Sequence, residues 1–319
     1  MDGATVIVIY EALLFTKCRF MWAFPQHHVL GTIKMIILLT LSKRANPRRI
    51  GERVLKRLVA ARFFFPIGKE LVVMSNTFDF ILLNGRPGGG KSELIDFIRN
   101  TPLEKRKELF HIGDLYFEDD FVWLWEKFTE DDIWEKLGHP RLYSRRHELG
   151  YVQFDDQKSD HPLVELCCEK FNIALKKNYL DKKDFDLENN TVFVEFARGM
   201  ADGGYKSVYD RLEDEILRRS AILYVQVSFA ESKRKNDARY KEWAKGSILS
   251  HSLPEESLLR FSESDDWEEL TGGKESGFIN IRGIDIPFVT MNNEPELKSG
   301  PELDARYSRA LTLLKSLVK

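Results

Sequence analysis

The sequence predicts an α/β fold whose sheet is mainly parallel. Short strand-like runs alternate with helix-like periods along most of the chain, which is the pattern of strand-helix-strand units. Several runs are almost free of charge, as strands covered on both faces are, and residues 221–229 are the clearest case. A glycine-rich turn joins the first such run to a helical segment. The composition, 43% hydrophobic and 31% charged over 319 residues, excludes disordered, collagen-like and membrane-bundle proteins.

The amino-terminal half of this pattern contains two strands and three helices. Residues 78–83 are an apolar run typical of a buried strand, and residues 91–99 follow the glycine-rich turn as a helix. A brief second strand is predicted over 109–112. Residues 121–137 place apolar side chains at helical spacing, and a further helix is predicted over 163–179.

The carboxyl-terminal half continues the alternation. Residues 191–196 read as a buried strand, residues 205–219 as an amphipathic helix, and 221–229 as the next strand. Residues 233–243 are basic and polar, which predicts an exposed helix. A hairpin-like pair of strands and a closing helix complete the chain, over 279–281, 284–290 and 303–317.

Charge divides the chain into two regimes that meet near Met74. Residues 1–73 carry a net charge of +8, and residues 74–319 carry −10. We therefore predict a basic amino-terminal extension over 1–73 that is not part of the core, and one folded domain over 74–319. The Arg-rich part of the extension also suits a membrane surface or an organellar presequence, and translation from Met74 is a third reading.

The net charge and the cysteine content limit which binding partners and which cellular compartment are expected. A formal net charge of −2 predicts no general attraction to nucleic acid or anionic lipid. The apolar runs before Met74 are too short to span about 30 Å of hydrocarbon, so no transmembrane segment is expected. Three cysteines, Cys18, Cys167 and Cys168, favour a reducing compartment over a disulfide framework. The expected location is the cytoplasm.

The most specific motif lies where the first strand meets the first helix. Residues 85–92 match G-x-x-x-x-G-K-[ST] in full, with a strand before and a helix after, as the motif requires. Glycines let consecutive amides form an anion-binding nest, Lys91 can reach terminal phosphates, and the Ser92 hydroxyl can bind Mg²⁺. The predicted nucleotide-binding residues are Gly85, Arg86, Pro87, Gly88, Gly89, Gly90, Lys91 and Ser92.

On this motif, residues 76–319 resemble the P-loop NTPases, and within them the kinase-like branch. The chain has neither the Asn-Lys-x-Asp motif of guanine-nucleotide switches nor the Leu-Ser-Gly-Gly-Gln motif of transporter ATPases. The resemblance implies a three-layer α/β sandwich with a mainly parallel five-stranded sheet in the order 2-3-1-4-5. It also implies ATP and Mg²⁺ as cofactors.

Two carboxylates are candidate partners of the phosphate site. Glu195 ends the strand 191–196, where a carboxylate can hold Mg²⁺ or orient a nucleophile, or pair with Arg198 structurally. Asp114 follows the predicted second strand, where kinase-like relatives place the base that accepts a proton from the acceptor. A turn or cap role for Asp114 fits equally, with Asp119 or Asp120 as substitutes.

Three arginines are candidates for anion recognition. The Arg198 guanidinium suits bidentate binding of an anionic acceptor, with the Glu195 ion pair as the alternative. Arg234 and Arg239 follow the fourth strand, within a predicted lid over about 230–250. Lid arginines neutralise charge on the transferring phosphoryl group, although a solvated helix face fits them as well.

These features predict an ATP- and Mg²⁺-dependent phosphotransferase. Lys91, Asp114, Glu195, Arg198, Arg234 and Arg239 are the predicted catalytic residues, and Ser92 and Glu195 the predicted metal ligands. The partners are a nucleoside triphosphate and a small-molecule acceptor of unknown identity, with recognition of the acceptor assigned to an insertion over about 138–180. The alternative is a regulatory ATPase that binds or slowly hydrolyses ATP and switches a protein partner.

Overall fold

The computed structural model describes residues 77–148, 150–154, 162–243 and 253–318, and leaves the side chains of residues 162 and 239–243 undescribed. The predicted extension over 1–73 and the boundary at Met74 lie outside these residues. Most of the predicted insertion and the first part of the predicted lid lie within them.

The described residues form eight strands, most of them short and apolar. The strands are β1 (Phe80–Asn84), β2 (Asp114–Asp119), β3 (Ser144–His147), β4 (Gly150–Gln153), β5 (Asn190–Glu195), β6 (Ser220–Gln226), β7 (Ser276–Ile281) and β8 (Ile284–Asn292).

Helices fill the connections between the strands. They are α1 (Lys91–Arg99), α2 (Leu103–Leu109), α3 (Asp120–Lys136), α4 (Pro162–Leu175), α5 (Gly204–Tyr209), α6 (Asp214–Arg218), α7 (Phe229–Trp243), α8 (Glu255–Ser262), α9 (Trp267–Thr271) and α10 (Pro301–Leu317), with a π-helical turn at Lys176–Leu180 and a 3₁₀ turn at Met200–Asp202. None of the helices described combines the length and hydropathy that a membrane crossing needs.

The main sheet has six strands in the order β2-β5-β1-β6-β8-β7, so the predicted count of five is wrong. Its first five members are parallel and follow the predicted order 2-3-1-4-5. The sixth strand, β7, pairs antiparallel with β8 and is the first arm of the predicted hairpin. Two residues separate these arms, so β7 adds directly to the edge of the parallel sheet.

Helices cover both faces of this sheet, as a three-layer sandwich requires. Alternate residues of β1 point to opposite faces, with Phe80 and Leu82 in one apolar core and Ile81 and Leu83 in the other. The first core packs against α4, α5 and α6, and the second against α1 and α10. Burial on both faces explains why the central strands are apolar throughout rather than alternating.

The predicted second strand over 109–112 is wrong. Leu109 ends helix α2, and Phe110 and Ile112 are buried as the chain turns into the sheet. The second strand begins at Asp114. β2 is an edge strand that is only partly covered. Acidic residues flank its short apolar run on both sides, which makes it a weaker strand signal than the central strands.

The predicted helix over 205–219 consists of two shorter helices, α5 and α6. Arg282, at the β7-β8 turn, reaches the break between them. Its guanidinium donates to the carbonyl oxygens of Tyr209 at 3.2 Å and Leu212 at 2.6 Å. A distant arginine thus satisfies carbonyl groups that a continuous helix would bond internally.

A buried carboxylate fixes the β3-β4 hairpin within the predicted insertion. Asp131 is fully buried on α3. It accepts hydrogen bonds from the amides of Leu142 at 2.7 Å, Tyr143 at 2.9 Å and Ser144 at 2.7 Å. The Ser144 hydroxyl is a fourth donor at 2.9 Å.

Replacement of Asp131 should therefore destabilise the fold. Asp131→Ala leaves three amides without their acceptor, with the Ser144 amide buried, and should lower the free energy of unfolding by about 3 kcal/mol. Glu130→Ala, which removes an exposed neighbour of the same charge, should change it by less than about 0.5 kcal/mol. Urea unfolding of both variants measures the difference, and equal effects would contradict this role.

Candidate active site

The glycine-rich loop over 85–92, the predicted phosphate-binding loop, has a backbone that only glycine accommodates at two positions. Gly85 has a φ of 136°, and a Cβ atom there would lie 2.4 Å from the Val225 carbonyl oxygen. Gly90 has a φ of 102°, and its Cβ would lie 2.2 Å from the side-chain nitrogen of Asn293. The loop therefore packs tightly against β6 and the end of β8. Helix α1 begins directly after it.

Within this loop, Lys91 lies folded back over the backbone. Its Nζ atom donates to the carbonyl oxygens of Gly85 at 2.8 Å and Arg86 at 3.2 Å, and lies 3.8 Å from the Glu195 carboxylate. The amides of Gly85 and Gly89 bond inside the protein, to the Tyr205 hydroxyl and the Arg86 carbonyl. These two amides are therefore bonded within the protein.

Two side chains anchor the loop to distant parts of the chain. Arg86 points away from the loop and donates to the carbonyl oxygens of Ser262 at 2.7 Å and Val227 at 2.9 Å. Asn293 donates to the Gly89 carbonyl oxygen at 2.9 Å and accepts from Arg306 at 3.0 Å. The loop conformation is thus held by hydrogen bonds from outside its own motif.

A cavity of about 460 Å³ opens beside the loop. One side is lined by residues 87–93 and Asp96, and another by residues 119–121 and Leu124 at the end of β2 and the start of α3. The end of β5 contributes residues 195–198. The remaining lining residues are Asn236, Leu253 and Phe261, from α7 and the segment that includes α8. The carboxyl ends of parallel strands are where open α/β sheets bind ligands.

Two carboxylates meet in this cavity because β2 and β5 are aligned in parallel. Asp119 and Glu195 are register partners at the strand ends. Burial, and then the charges of Glu195 and Asp120, raise the pKa of Asp119 to about 7. Its side chain also accepts a hydrogen bond from the Phe121 amide at 2.9 Å, as the cap of helix α3. Asp119 is therefore an oriented carboxylate that changes protonation near neutral pH.

Arg198 pairs with Asp120, not with Glu195 as the sequence suggested. The two side chains are almost completely buried and form a direct ion pair at the cavity wall. Burial opposes the charge on Arg198, but the Asp120 carboxylate outweighs this and holds the pKa of Arg198 above its ordinary value. Its Nη1 atom also donates to the Ala197 carbonyl oxygen at 2.7 Å. Arg198 is thus a fixed cation beside the cavity.

The oxygen atoms available near the loop suit a magnesium ion. The Ser92 hydroxyl and the Glu195 carboxylate line the same cavity, and Mg²⁺ prefers a few such oxygen ligands together with waters and phosphate oxygens. Groups of three or more acidic, histidine or cysteine side chains that could hold a metal do not occur in the described part of the chain. The Ser92 and Glu195 oxygen atoms therefore fit a metal ion that takes its other ligands from water or a bound molecule.

Several predicted residues lie away from the cavity lining. Asp114 begins β2 beside Asn190, at the opposite end from Asp119, and six strand residues separate the ends by roughly 16 Å. The side chain of Arg86 is an anchor. Arg234 is exposed and bound by Glu231 and Glu296. Arg239 lies in α7, but its side chain falls outside the described residues.

The residues at the junction of β2 and α3 were given too little weight as site candidates from the sequence. Asp119 and Asp120 appeared only as substitutes for Asp114, and Phe121 only as the start of a helix. The Asp-Asp pair between a Tyr-Phe strand and an apolar helix was the available signal. Had the second strand been predicted to begin at Asp114, five residues later, this pair would have been expected at its carboxyl end.

Comparisons with known proteins identify only distant likenesses. No protein-family model matches the sequence, and no curated protein does. Among solved structures, the chain is similar to an unliganded sugar kinase from Janibacter sp. HTCC2649 and to a proposed kinase from Chloroflexus aurantiacus j-10-fl. Each is 11% identical to this chain, with a TM-score of 0.34. Each match covers 76% of this chain, and it covers 99% of the sugar kinase chain and 100% of the other structure's chain. At this distance, function has to be inferred from the cavity residues themselves.

The raised pKa of Asp119 has a measurable effect on stability. The carboxyl group ionises at 3.8 in its ordinary state and at about 7 in the folded protein. Its stabilising contribution is therefore complete below about pH 4 and is lost as the pH rises through about 7. Asp119→Asn keeps a capping side chain and removes the buried charge. It should raise Tm by roughly 5 °C at pH 8 and change it little at pH 4.

Asp114→Asn is the matched control, since Asp114 is an exposed carboxylate at the other end of the same strand. Calorimetric scans of both variants at the two pH values make the comparison. A Tm for Asp119→Asn at pH 8 equal to that of the native chain would contradict a buried, repelled carboxylate.

Proposed function

We propose that the protein is an ATP- and Mg²⁺-dependent phosphotransferase of the P-loop kinase-like type that acts on a hydroxyl group of a small molecule. One observation carries this proposal: Asp119 and the phosphate-binding loop line the same cavity. A nucleotide-binding protein needs the loop alone. A kinase also needs a group that accepts the proton of the attacking hydroxyl.

In this proposal the loop and the start of α1 bind the triphosphate. The first amides of a helix lack partners within it, and the helix dipole favours an anion there. Lys91 would leave the carbonyl oxygens of Gly85 and Arg86 for the terminal phosphates, which offer a stronger, charge-assisted contact. Ser92 and Glu195 would hold Mg²⁺, which spreads the negative charge of the phosphate oxygens when bound.

Asp119 would act as the general base. As the acceptor oxygen forms its bond to the terminal phosphorus, the bond from that phosphorus to the ADP oxygen breaks, and the hydroxyl proton passes to Asp119. A pKa of about 7 matches this step, because about half of the group is ionised at neutral pH and the ionised form is still basic. The hydrogen bond from the Phe121 amide keeps the carboxylate oriented.

Helix α7 is the proposed lid. Asn236 already lines the cavity from this helix. For Arg234 to reach a transferring phosphoryl group, it would have to exchange Glu231 and Glu296 for phosphate oxygens. Such an exchange on closure would place positive charge at the site only when substrate is present.

A regulatory ATPase is the second candidate, and helix α3 favours it. This helix exposes apolar side chains at Val122 and Ile133, and the residue that ends it, Leu137, is exposed as well. The accessible fractions are 58%, 59% and 65%, as in a partner-binding surface. The two functions differ in turnover. A kinase consumes ATP in proportion to acceptor, whereas a switch hydrolyses it slowly whatever small molecule is added.

The kinase and the regulatory ATPase both require nucleotide binding, which can be measured directly. Lys91→Ala should weaken the binding of Mg-ATP to the full chain by about 10- to 100-fold, the loss of a charge-assisted contact. Lys105→Ala, an exposed lysine on α2, should leave binding unchanged. Isothermal titration calorimetry measures both, and native protein that binds no Mg-nucleotide would refute the proposal.

The role of Asp119 is tested by rate and pH together. Asp119→Asn should lower acceptor-dependent ATP consumption by about 10²- to 10⁴-fold, the usual contribution of a general base, while Mg-ATP still binds. In the native protein, kcat/KM should rise with pH and level off above about 7, because the base must be ionised. Asp114→Asn should keep both the rate and the profile. Equal losses of acceptor-dependent rate in Asp119→Asn and Asp114→Asn would rule out Asp119 as the general base.

A further inference from the structure

The cavity has an apolar wall that phosphate transfer does not require. Phe121 follows Asp119 by two residues, and Leu124 lies one helical turn further along α3. Phe261 and Leu253 line the cavity from the α8 segment. Phe121 and Phe261 are both half-buried, so their rings have surface left to contact a ligand. A flat or apolar face of a ligand would remove such surface from water.

The charges around the cavity are predominantly negative. Five lining residues are acidic and two are basic. The acidic residues are Glu93, Asp96, Asp119, Asp120 and Glu195. Their number matters because the triphosphate would bring further negative charge into the same space.

Both lining cations already have carboxylate partners within the chain. Lys91 lies 3.8 Å from Glu195, and in the proposed function it serves the nucleotide. Arg198 forms the buried pair with Asp120. Removing a partner from a buried charge is costly, so Arg198 is poorly suited to exchange Asp120 for an acidic group on a substrate.

We infer that the acceptor is an uncharged hydroxyl compound with a flat or apolar face, and not a phosphate ester or a carboxylate. This inference rests on the proposed function and specifies its substrate class. The apolar face packs against Phe121 and Phe261, and the hydroxyl lies at Asp119. The sequence analysis proposed that Arg198 binds an anionic acceptor. Its ion pair with Asp120 argues against that role.

Matched pairs of compounds test the inference directly. The probes are uridine with uridine 5′-monophosphate, adenosine with adenosine 5′-monophosphate, glucose with glucose 6-phosphate, and benzyl alcohol with 4-(hydroxymethyl)benzoate. Binding to the full chain is measured by calorimetry with a nonhydrolysable Mg-ATP analogue present, and ADP release is measured with Mg-ATP. At least one neutral member should bind, and should exceed its anionic partner in kcat/KM by about tenfold or more.

A double variant tests how much the lining charges contribute to the preference for a neutral acceptor. Glu93→Gln with Asp96→Asn removes two lining charges that the proposed mechanism does not use. It should reduce the preference for the neutral member by about tenfold. Because the preference is a ratio of two kcat/KM values, any effect on nucleotide binding that both acceptors share cancels. Glu104→Gln with Glu108→Gln makes the same charge change on exposed positions of helix α2 and should preserve the preference.

The outcomes separate this inference from the proposed function. Protein that binds Mg-ATP and prefers an anionic member of any pair, or accepts none of the neutral compounds, overturns the inference and leaves nucleotide use intact. An unchanged preference in the Glu93 and Asp96 double variant also overturns it. Protein that binds no Mg-nucleotide refutes the proposed function itself.

Discussion

The parallel register of three strands is the constraint on which the site depends. β5 lies between β2 and β1, and this alignment places Glu195 beside both Asp119 and Leu83, the residue two positions before the phosphate loop. A slip of one residue would turn every side chain of a strand to the opposite face. The complete burial of β1 on both faces makes such a slip prohibitive, so the apolar core fixes the relative positions of the polar groups.

The same alignment imposes an electrostatic cost. Asp119 and Glu195 are like charges at neighbouring strand ends, and burial removes much of the water that would screen them. Lys91 relieves part of this repulsion, since it lowers the pKa of Asp119, although burial and the two acidic neighbours prevail. A side chain held in an unfavourable charge state by a rigid sheet is typical of sites shaped by chemistry rather than by stability.

Local sequence patterns predicted the central strands of the sheet well and its edge poorly. Central strands such as β1 and β6 have continuous apolar runs because both faces are covered, so composition reveals them. The edge strand β2 is only partly covered, and its apolar run is three residues long between acidic residues. Because the predicted strand was placed too early, Asp114 and not Asp119 was predicted as the base. The Arg198–Asp120 pair joins residues 78 positions apart, and no local pattern encodes which acidic residue a buried arginine will meet.

The hydrogen bonds that hold the phosphate loop also couple it to the proposed lid. The Ser232 hydroxyl on α7 donates to the Pro87 carbonyl oxygen at 2.6 Å, and the Asn293 side chain donates to the Gly89 carbonyl oxygen at 2.9 Å. The loop is therefore ordered by its neighbours before any phosphate arrives, which reduces the ordering cost of binding. Because α7 is bonded directly to the loop, a movement of this helix toward the cavity would act on the loop backbone. The position of the helix and the shape of the loop therefore depend on each other.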